Sequence, residues 1–578
     1  MAKEDYTISG IYQGGYSSLN PSYGSVFTGY RASAGSIGLA IDPRTANVLQ
    51  EIQKALSVGA KQIEVGAVSP DVFESIPKQH LKELNRISKL TGVGISVHAP
   101  IVEPSGISKQ GFSEDNRKAA ERQMFSAVER SHEINPKGNV NVTFHSSAQI
   151  PQPITPKGKE VPEEIYIVNR EKGSIHPFQL KEKAFPGDEG KINIQKEIDR
   201  INQIQWSENR RNMSYYANIG EEDIKKSELL ARTAEKEKGE GKEIVPAERE
   251  AKIIFNRGRT FLDNSYMTLQ ELFETANTQG SKEDKKILSD FADNIRARAE
   301  ELKKTKNIYE DARIRREIID EGFEALGKVH PKLFEQLDDY AREKTIDSFA
   351  NVAFNAYDKF RDSSPIISIE NPPVGGAFSR GKELKELVEG ARQKFIDKAV
   401  EKGMSENQAR MAAEKVLGVT WDVGHINMLR KYGYESKDIV KEAKEVAPLV
   451  KQVHLSDNFG FEHTELPMGM GNVPIKEVLK ELPEETRKII EAGNWYQYQK
   501  TTPFQETLEA FGSQMYPTQG PYWNQALGLQ QSYLMGYGLM LPQINYETFG
   551  GGFSQLPAEL GGQKAGAQGS RMSGKPME

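Results

Sequence analysis

The stretch TWDVGHINML, residues 420–429, decides the fold. It begins inside an apolar, β-branched run (residues 416–421, VLGVTW), which reads as a buried strand bounded by turn residues. The run stops on Asp422, Gly424 lets the chain turn, and His425 follows at once. A carboxylate and an imidazole at a strand end are either a helix cap and a surface ring, or two metal ligands. The choice depends on whether other strands end the same way.

Working outward, the same grammar recurs. Apolar runs at 36–41 (SIGLAI), 62–67 (QIEVGA), 92–99 (GVGISVHA) and 139–147 (NVNVTFHSS) alternate with amphipathic helical patterns. After a break, IISIENPP (366–373), VLGVTWDVG (416–424), VKQVHLSDN (450–458) and RKIIEAGNW (487–495) resume the alternation. Eight strands, each followed by helix, predict an α/β fold of the (β/α)8 barrel type. Residues 35–150 supply its first half and 346–512 its second. Between them, 151–345 is highly charged with long helical signals such as EEDIKKSELLARTAEKEK, and predicts a helical insertion after the fourth strand. A Gly- and Tyr-rich extension (1–34) and a C-terminal extension (513–578) flank the barrel. The latter is expected to bind a protein partner or the barrel, and to end in a disordered stretch.

Composition narrows the chemistry. The chain of 578 residues has no cysteine, so thiolate metal sites and cysteine nucleophiles are excluded and any metal rests on His, Asp and Glu. A net charge of −6 gives no global nucleic-acid footprint. The absence of an apolar run long enough to span a bilayer leads to the expectation of a cytoplasmic protein with no membrane partner. The arginines and tyrosines of NRRNMSYYANIG (209–220) read as an ordinary polar surface of the insertion.

In a (β/α)8 barrel the chemistry sits at the C-terminal strand ends. Those ends carry Glu64, His98, His145, Glu370, Asp422 with His425, His454 and Glu491. Of only nine histidines, four lie there, and His463 follows in the loop after His454. Any one of these has a bland reading: a core histidine, a loop carboxylate, or, for Asp422, a helix cap. Their convergence on one barrel mouth favours ligands.

These motifs resemble the xylose isomerase-like barrels, and within them the endonuclease IV branch, over residues 35–150 and 346–512. The resemblance implies that Glu370, Asp422, His454 and Glu491 hold a first divalent ion. In the endonuclease branch it further implies His98, His145 and His425 as ligands of a zinc cluster of two or three ions, with manganese or magnesium as alternatives. The branch's Asp-x-His ahead of Gly-x-Gly becomes His463 and Glu465 in FEHTELPMGMG, the two ligand types exchanged, with Glu462 a possible substitute. The implied reaction is phosphodiester hydrolysis at abasic sites in DNA, with Glu370, Asp422 and Glu491 catalytic. The alternative is a one-metal isomerase or epimerase of a small sugar phosphate, in which Glu370 and Glu491 shuttle a proton. A third expectation is an inactive scaffold barrel.

Overall fold

The computed structural model describes residues 32–511, apart from 33, 67–68, 149, 181–191, 240–245 and 500–501. The two extensions read from the sequence, 1–34 and 513–578, lie almost wholly outside the described residues. Eight parallel strands close into a barrel: β1 (Ile37–Ala40), β2 (Gln62–Gly66), β3 (Gly94–His98), β4 (Asn141–His145), β5 (Ile366–Glu370), β6 (Leu417–Asp422), β7 (Val450–Leu455) and β8 (Arg487–Ile490). Each pairs with its sequence neighbours, and β1 pairs with β8 to complete the ring. These are the eight strands that the alternating pattern predicts.

Side chains alternate along each strand. Ile367, Ile369, Val419, Trp421 and Val453 are all fully buried, as expected for the face that helices cover. The inward positions are polar instead. Thr143 and Thr420, on strands that do not neighbour each other, are linked by a 2.9 Å hydrogen bond between their hydroxyls across the lumen. Gln452 on β7 donates to Glu64 on β2 at 2.5 Å, again across the lumen, and Ser368 donates to Asn141 at 2.5 Å. These bonds satisfy part of the buried polar lumen, while Glu64 Oε2 and Gln452 Oε1 are buried with no hydrogen-bond partner. Register does the rest: Glu370 pairs with His145, and Asp422 with His454, so ligand-type side chains from adjacent strands finish level with each other.

The chain divides into two compact units. One is the barrel: residues up to Gly106, Glu114–Gly158, and from Arg342 onward. The other, Ile107–Ser113 with Lys159–Ala341, contains helices Ile194–Gly239, Pro246–Gln279, Lys282–Lys304 and Ile308–Leu326. It also contains an antiparallel three-stranded sheet of Glu164–Asn169, Ile175–Gln179 and Phe334–Gln336, which the sequence pattern does not predict. This unit is more than a solvated helical excursion. Trp206, Met213, Leu262, Leu269, Phe291 and Ile318 are among the residues of its own buried core, and the Trp206 indole donates to the Leu326 carbonyl at 2.9 Å. The two longest helices approach closely enough that a Cβ on Gly258 would lie 2.8 Å from the Gly220 carbonyl oxygen.

Candidate metal centre

Glu370, the last residue of β5, is fully buried and stands at the centre of the site. Its two oxygens face different histidines. Oε1 lies 2.9 Å from His454 Nδ1 and 3.9 Å from His425 Nδ1. Oε2 lies 3.1 Å from His98 Nε2 and 3.4 Å from His145 Nε2. Glu491, just beyond β8, closes the other side, with Oε2 2.5 Å from His454 Nδ1 and Oε1 3.8 Å from His98 Nε2. His98, Glu370, His454 and Glu491 each offer one ligand atom, all within 4.8 Å of one another.

Asp422 caps a helix, and it also lies among the ligand-type side chains at the strand ends. Its carboxylate caps the short helix Val423–Asn427, accepting the His425 backbone N–H at 2.6 Å. The same buried carboxylate lies with Glu370 and His425 at the strand ends and accepts the Ser456 hydroxyl at 3.2 Å. Gly424 follows because there is no room for a side chain: a Cβ there would come within 2.1 Å of Ser456 Oγ.

The tautomers of two histidines are set by backbone. His98 Nδ1 is 3.0 Å from the Ala99 carbonyl, so Nδ1 carries the proton and Nε2 is turned to the carboxylates. His425 Nδ1 donates to the Asn371 carbonyl at 2.7 Å, leaving Nε2 2.8 Å from His463 Nε2. This settles an apparent conflict. Glu370, Asp422 and His425 group by distance through His425 Nδ1, but that nitrogen is already bonded, so the ligand atom His425 can offer is Nε2. His463 Nε2 is in turn 3.3 Å from Glu465 Oε1. Glu465, held at a left-handed φ of 46°, is the acid beside His463, whereas Glu462 is exposed. The Glu465 carboxylate is oriented by the backbone N–H of Asn494, at 3.2 Å.

The electrostatics are those of buried carboxylates and imidazoles crowded together. Burial opposes a charge on His98, but the carboxylates of Glu370, Glu491 and Glu64 outweigh it and lift its pKa to about 10. His454 is raised for the same reasons, against its burial. Burial also works against Glu491, yet His454 draws its pKa down to about 2. Burial, reinforced by Glu370 and Glu491, pushes Asp422 well up, whereas burial and His463 push His425 down to about 3. Glu491 Oε2 is buried with no hydrogen-bond partner, although His454 Nδ1 is close. Imidazole and carboxylate donor atoms that converge within 4.8 Å of one another fit a divalent cation.

Above the cluster opens a cavity of about 300 Å³. Its lining includes Glu64, His98, His145, His425, His463, Glu465 and Glu491 together with Tyr496 and the apolar Ile41, Pro43 and Ile101. Among the described lining residues the one Lys or Arg, Arg44, is engaged by Asp42 through Nε at 2.8 Å and Nη2 at 2.7 Å. No described helix is long and apolar enough to cross a membrane.

No protein-family model matches this chain, and no curated protein matches it. Among solved structures it is similar to a D-tagatose 3-epimerase-like protein (14% identity, TM-score 0.33). It is also similar to D-psicose 3-epimerase with D-tagatose from Clostridium cellulolyticum H10 (8%, 0.35) and to 3-keto-D-glucoside 4-epimerase from E. coli (10%, 0.34). Each match covers 82% of this chain and 96% or 97% of the other. TM-scores this low carry no functional argument. The barrel and the site stand on their own geometry.

All nine ligand-type residues expected from the sequence belong to the barrel unit, and they group around Glu370 and around His425. Sequence reasoning missed the residues that hold them: Asn371, Gln452, Ser456 and Asn494. The one available signal was the polar residue two places before five of the strand-end ligands, Ser96, Thr143, Ser368, Thr420 and Gln452, which marks an inward strand face.

Proposed function

We propose that this protein is a divalent-metal-dependent enzyme of the xylose isomerase-like kind that isomerises or epimerises a small sugar or sugar phosphate. The observation that carries this reading is the cavity over the ligand cluster. At about 300 Å³ it is at the small end for ligand sites, and it is walled by apolar side chains and ligands. Duplex DNA would call for clustered Lys and Arg at the mouth, and among the described lining residues the one Lys or Arg, Arg44, is already paired with Asp42. A bound cation supplies polarisation of a carbonyl and an adjacent hydroxyl oxygen. His98, Glu370, His454 and Glu491 would hold it, with Asp422 at the edge of the set. Glu370 is fully buried and does not line the cavity; of the carboxyls that do, Glu64 is engaged by Gln452 and Ser96, so proton transfer falls to Glu491 and Glu465. Glu491 accepts the proton from the carbon next to the carbonyl, and Glu465 returns one from its own side. Ile41, Pro43 and Ile101 exclude water from the carbanion-like centre.

A second reading, phosphodiester hydrolysis of the endonuclease IV type, is favoured by one specific arrangement. Glu370 presents its two oxygens to separate histidine pairs, as a bridge between two ions would, and His425, His463 and Glu465 form a further group. One experiment separates the readings: zinc- or manganese-loaded protein is incubated in D2O with a panel of ketoses, aldoses and their phosphates, and in parallel with an abasic-site duplex. Deuterium entering the carbon beside the carbonyl, with the duplex intact, is the expected result. Chelator-sensitive duplex cleavage with no sugar exchange would replace this reading by the hydrolase.

A further inference from the structure

Three histidines of the cluster have one nitrogen turned to the ligand set and the other fixed from behind. For His98 and His425 the fixing group is a backbone carbonyl. For His454, Nε2 faces two side chains, the Gln452 amide nitrogen at 3.0 Å and the carboxylate of Glu64, which no ligand reading uses. Glu64 is buried on β2, and its Oε2 lies 2.9 Å from His454 Nε2. Its other oxygen, Oε1, accepts from Gln452 Nε2 on β7 at 2.5 Å and from Ser96 Oγ on β3 at 3.2 Å. The carboxylate is therefore held by two donors from other strands while its free oxygen faces one imidazole.

We propose that Glu64 is the positioning residue that makes His454 a metal ligand, by accepting the Nε2 proton and so presenting the Nδ1 lone pair toward Glu370 and Glu491. The proposal rests on the metal-site reading above. Its chemistry is simple: a neutral imidazole that binds a cation through Nδ1 must carry its proton on Nε2 and place it on an acceptor. Within reach of Nε2 are two groups, the Glu64 carboxylate and the Gln452 amide nitrogen at 3.0 Å, and the amide nitrogen is itself a donor. Glu64 Oε2 lies 2.9 Å from Nε2 without a hydrogen bond of good alignment. A small rotation of the His454 ring corrects that, and with it Gln452 donates to Glu64 alone. A carboxylate behind a metal-bound imidazole also raises its basicity, which a carbonyl does less strongly.

The test is metal binding, not turnover. Full-length protein is titrated calorimetrically with zinc, and separately with manganese, in wild-type form and as Glu64→Gln, which keeps the shape and removes the charge. Loss of about 10- to 100-fold in affinity is expected, the usual cost of removing such an outer partner. Nitrogen-15 NMR of histidine-labelled, zinc-loaded protein supplies the readout that a purely structural role would not move. The wild type should show His454 protonated at Nε2, and Glu64→Gln should lose that slow-exchanging proton. Glu64→Gln that folds and binds as tightly as wild type overturns the proposal. Should Glu64→Gln fail to fold, Gln452→Met leaves the carboxylate but removes its stronger donor. A smaller affinity loss there supports the proposal, and unchanged affinity overturns it. If wild type itself binds neither ion, the metal-site reading fails with it, a result distinct from a Glu64 effect that is absent.

Discussion

Loading the metal centre should expel protons. In the ion-free site His98 is held protonated, its pKa raised to about 10 by Glu370 and the acids around it against the effect of burial; His454 and Asp422 are shifted upward too. A cation needs the lone pairs those protons occupy. For His98 alone, deprotonation at pH 7.5 against a pKa near 10 costs about 3 kcal/mol, roughly 300-fold in apparent affinity. The affinity for zinc or manganese should therefore rise about tenfold per pH unit for each such proton, between pH 6 and 9. Titration in buffers of different ionisation enthalpy counts the protons directly. One to three released per cluster is expected. A binding enthalpy independent of buffer, or an affinity flat across that range, would refute the assignment of these groups as ligands.

The other predictions are more local. Gly424→Ala should destabilise the barrel by about 1–3 kcal/mol, since its Cβ would displace Ser456 from Asp422; thermal unfolding with unchanged midpoint would argue that the loop yields freely. Metal-free protein should lose stability on the alkaline side. The His98 pKa is raised on folding, so its contribution is complete below about 6.5 and fades as pH climbs toward 10, by up to about 1 kcal/mol per unit, which denaturant midpoints at pH 7 and 9 will show. Asn371→Ala removes the side chain that clamps both backbone groups of Asp422, at 2.8 and 3.0 Å; weaker metal binding with little change in cavity-facing groups is expected from calorimetry. Gly258→Val should cost the insertion unit about 2 kcal/mol, because the obstructing atom is a backbone carbonyl; hydrogen exchange in helices Ile194–Gly239 and Pro246–Gln279 will register it, and unaltered protection would contradict the close packing.

The sequence displays the eight strands because each has a β-branched core and a turn-rich boundary, and it displays the ligands because they fall at strand ends. What it hides depends on closure. Gln452 in VKQVHL looks like a solvent-facing strand position until β2 is seen across the lumen. Glu462 and Glu465 are indistinguishable by spacing; the left-handed turn at Glu465 makes the choice. The insertion's sheet escapes notice because its strands are short, and one of them, Phe334–Gln336, pairs with residues far away in the chain. Its core escapes too, since the apolar positions of its helices are diluted by charge.

The interruption of the barrel between β4 and β5 also imposes a schedule on synthesis. His145 ends β4, and 220 residues pass before Ile366 begins the strand that pairs with it. At ribosomal rates of about 5–20 residues per second, the first half-barrel waits roughly 10–40 s with two open edges, at β1 and β4. Unpaired parallel edges are templates for wrong partners. The insertion, with a core of its own, can fold during that interval, so the nascent chain carries a finished bundle while the half-barrel awaits closure. Metal cannot assist until the end, because His98 and His145 are made in the first half and Glu370, His454 and Glu491 in the second. An ion held by the proposed ligands would thus bind only in the last act of folding.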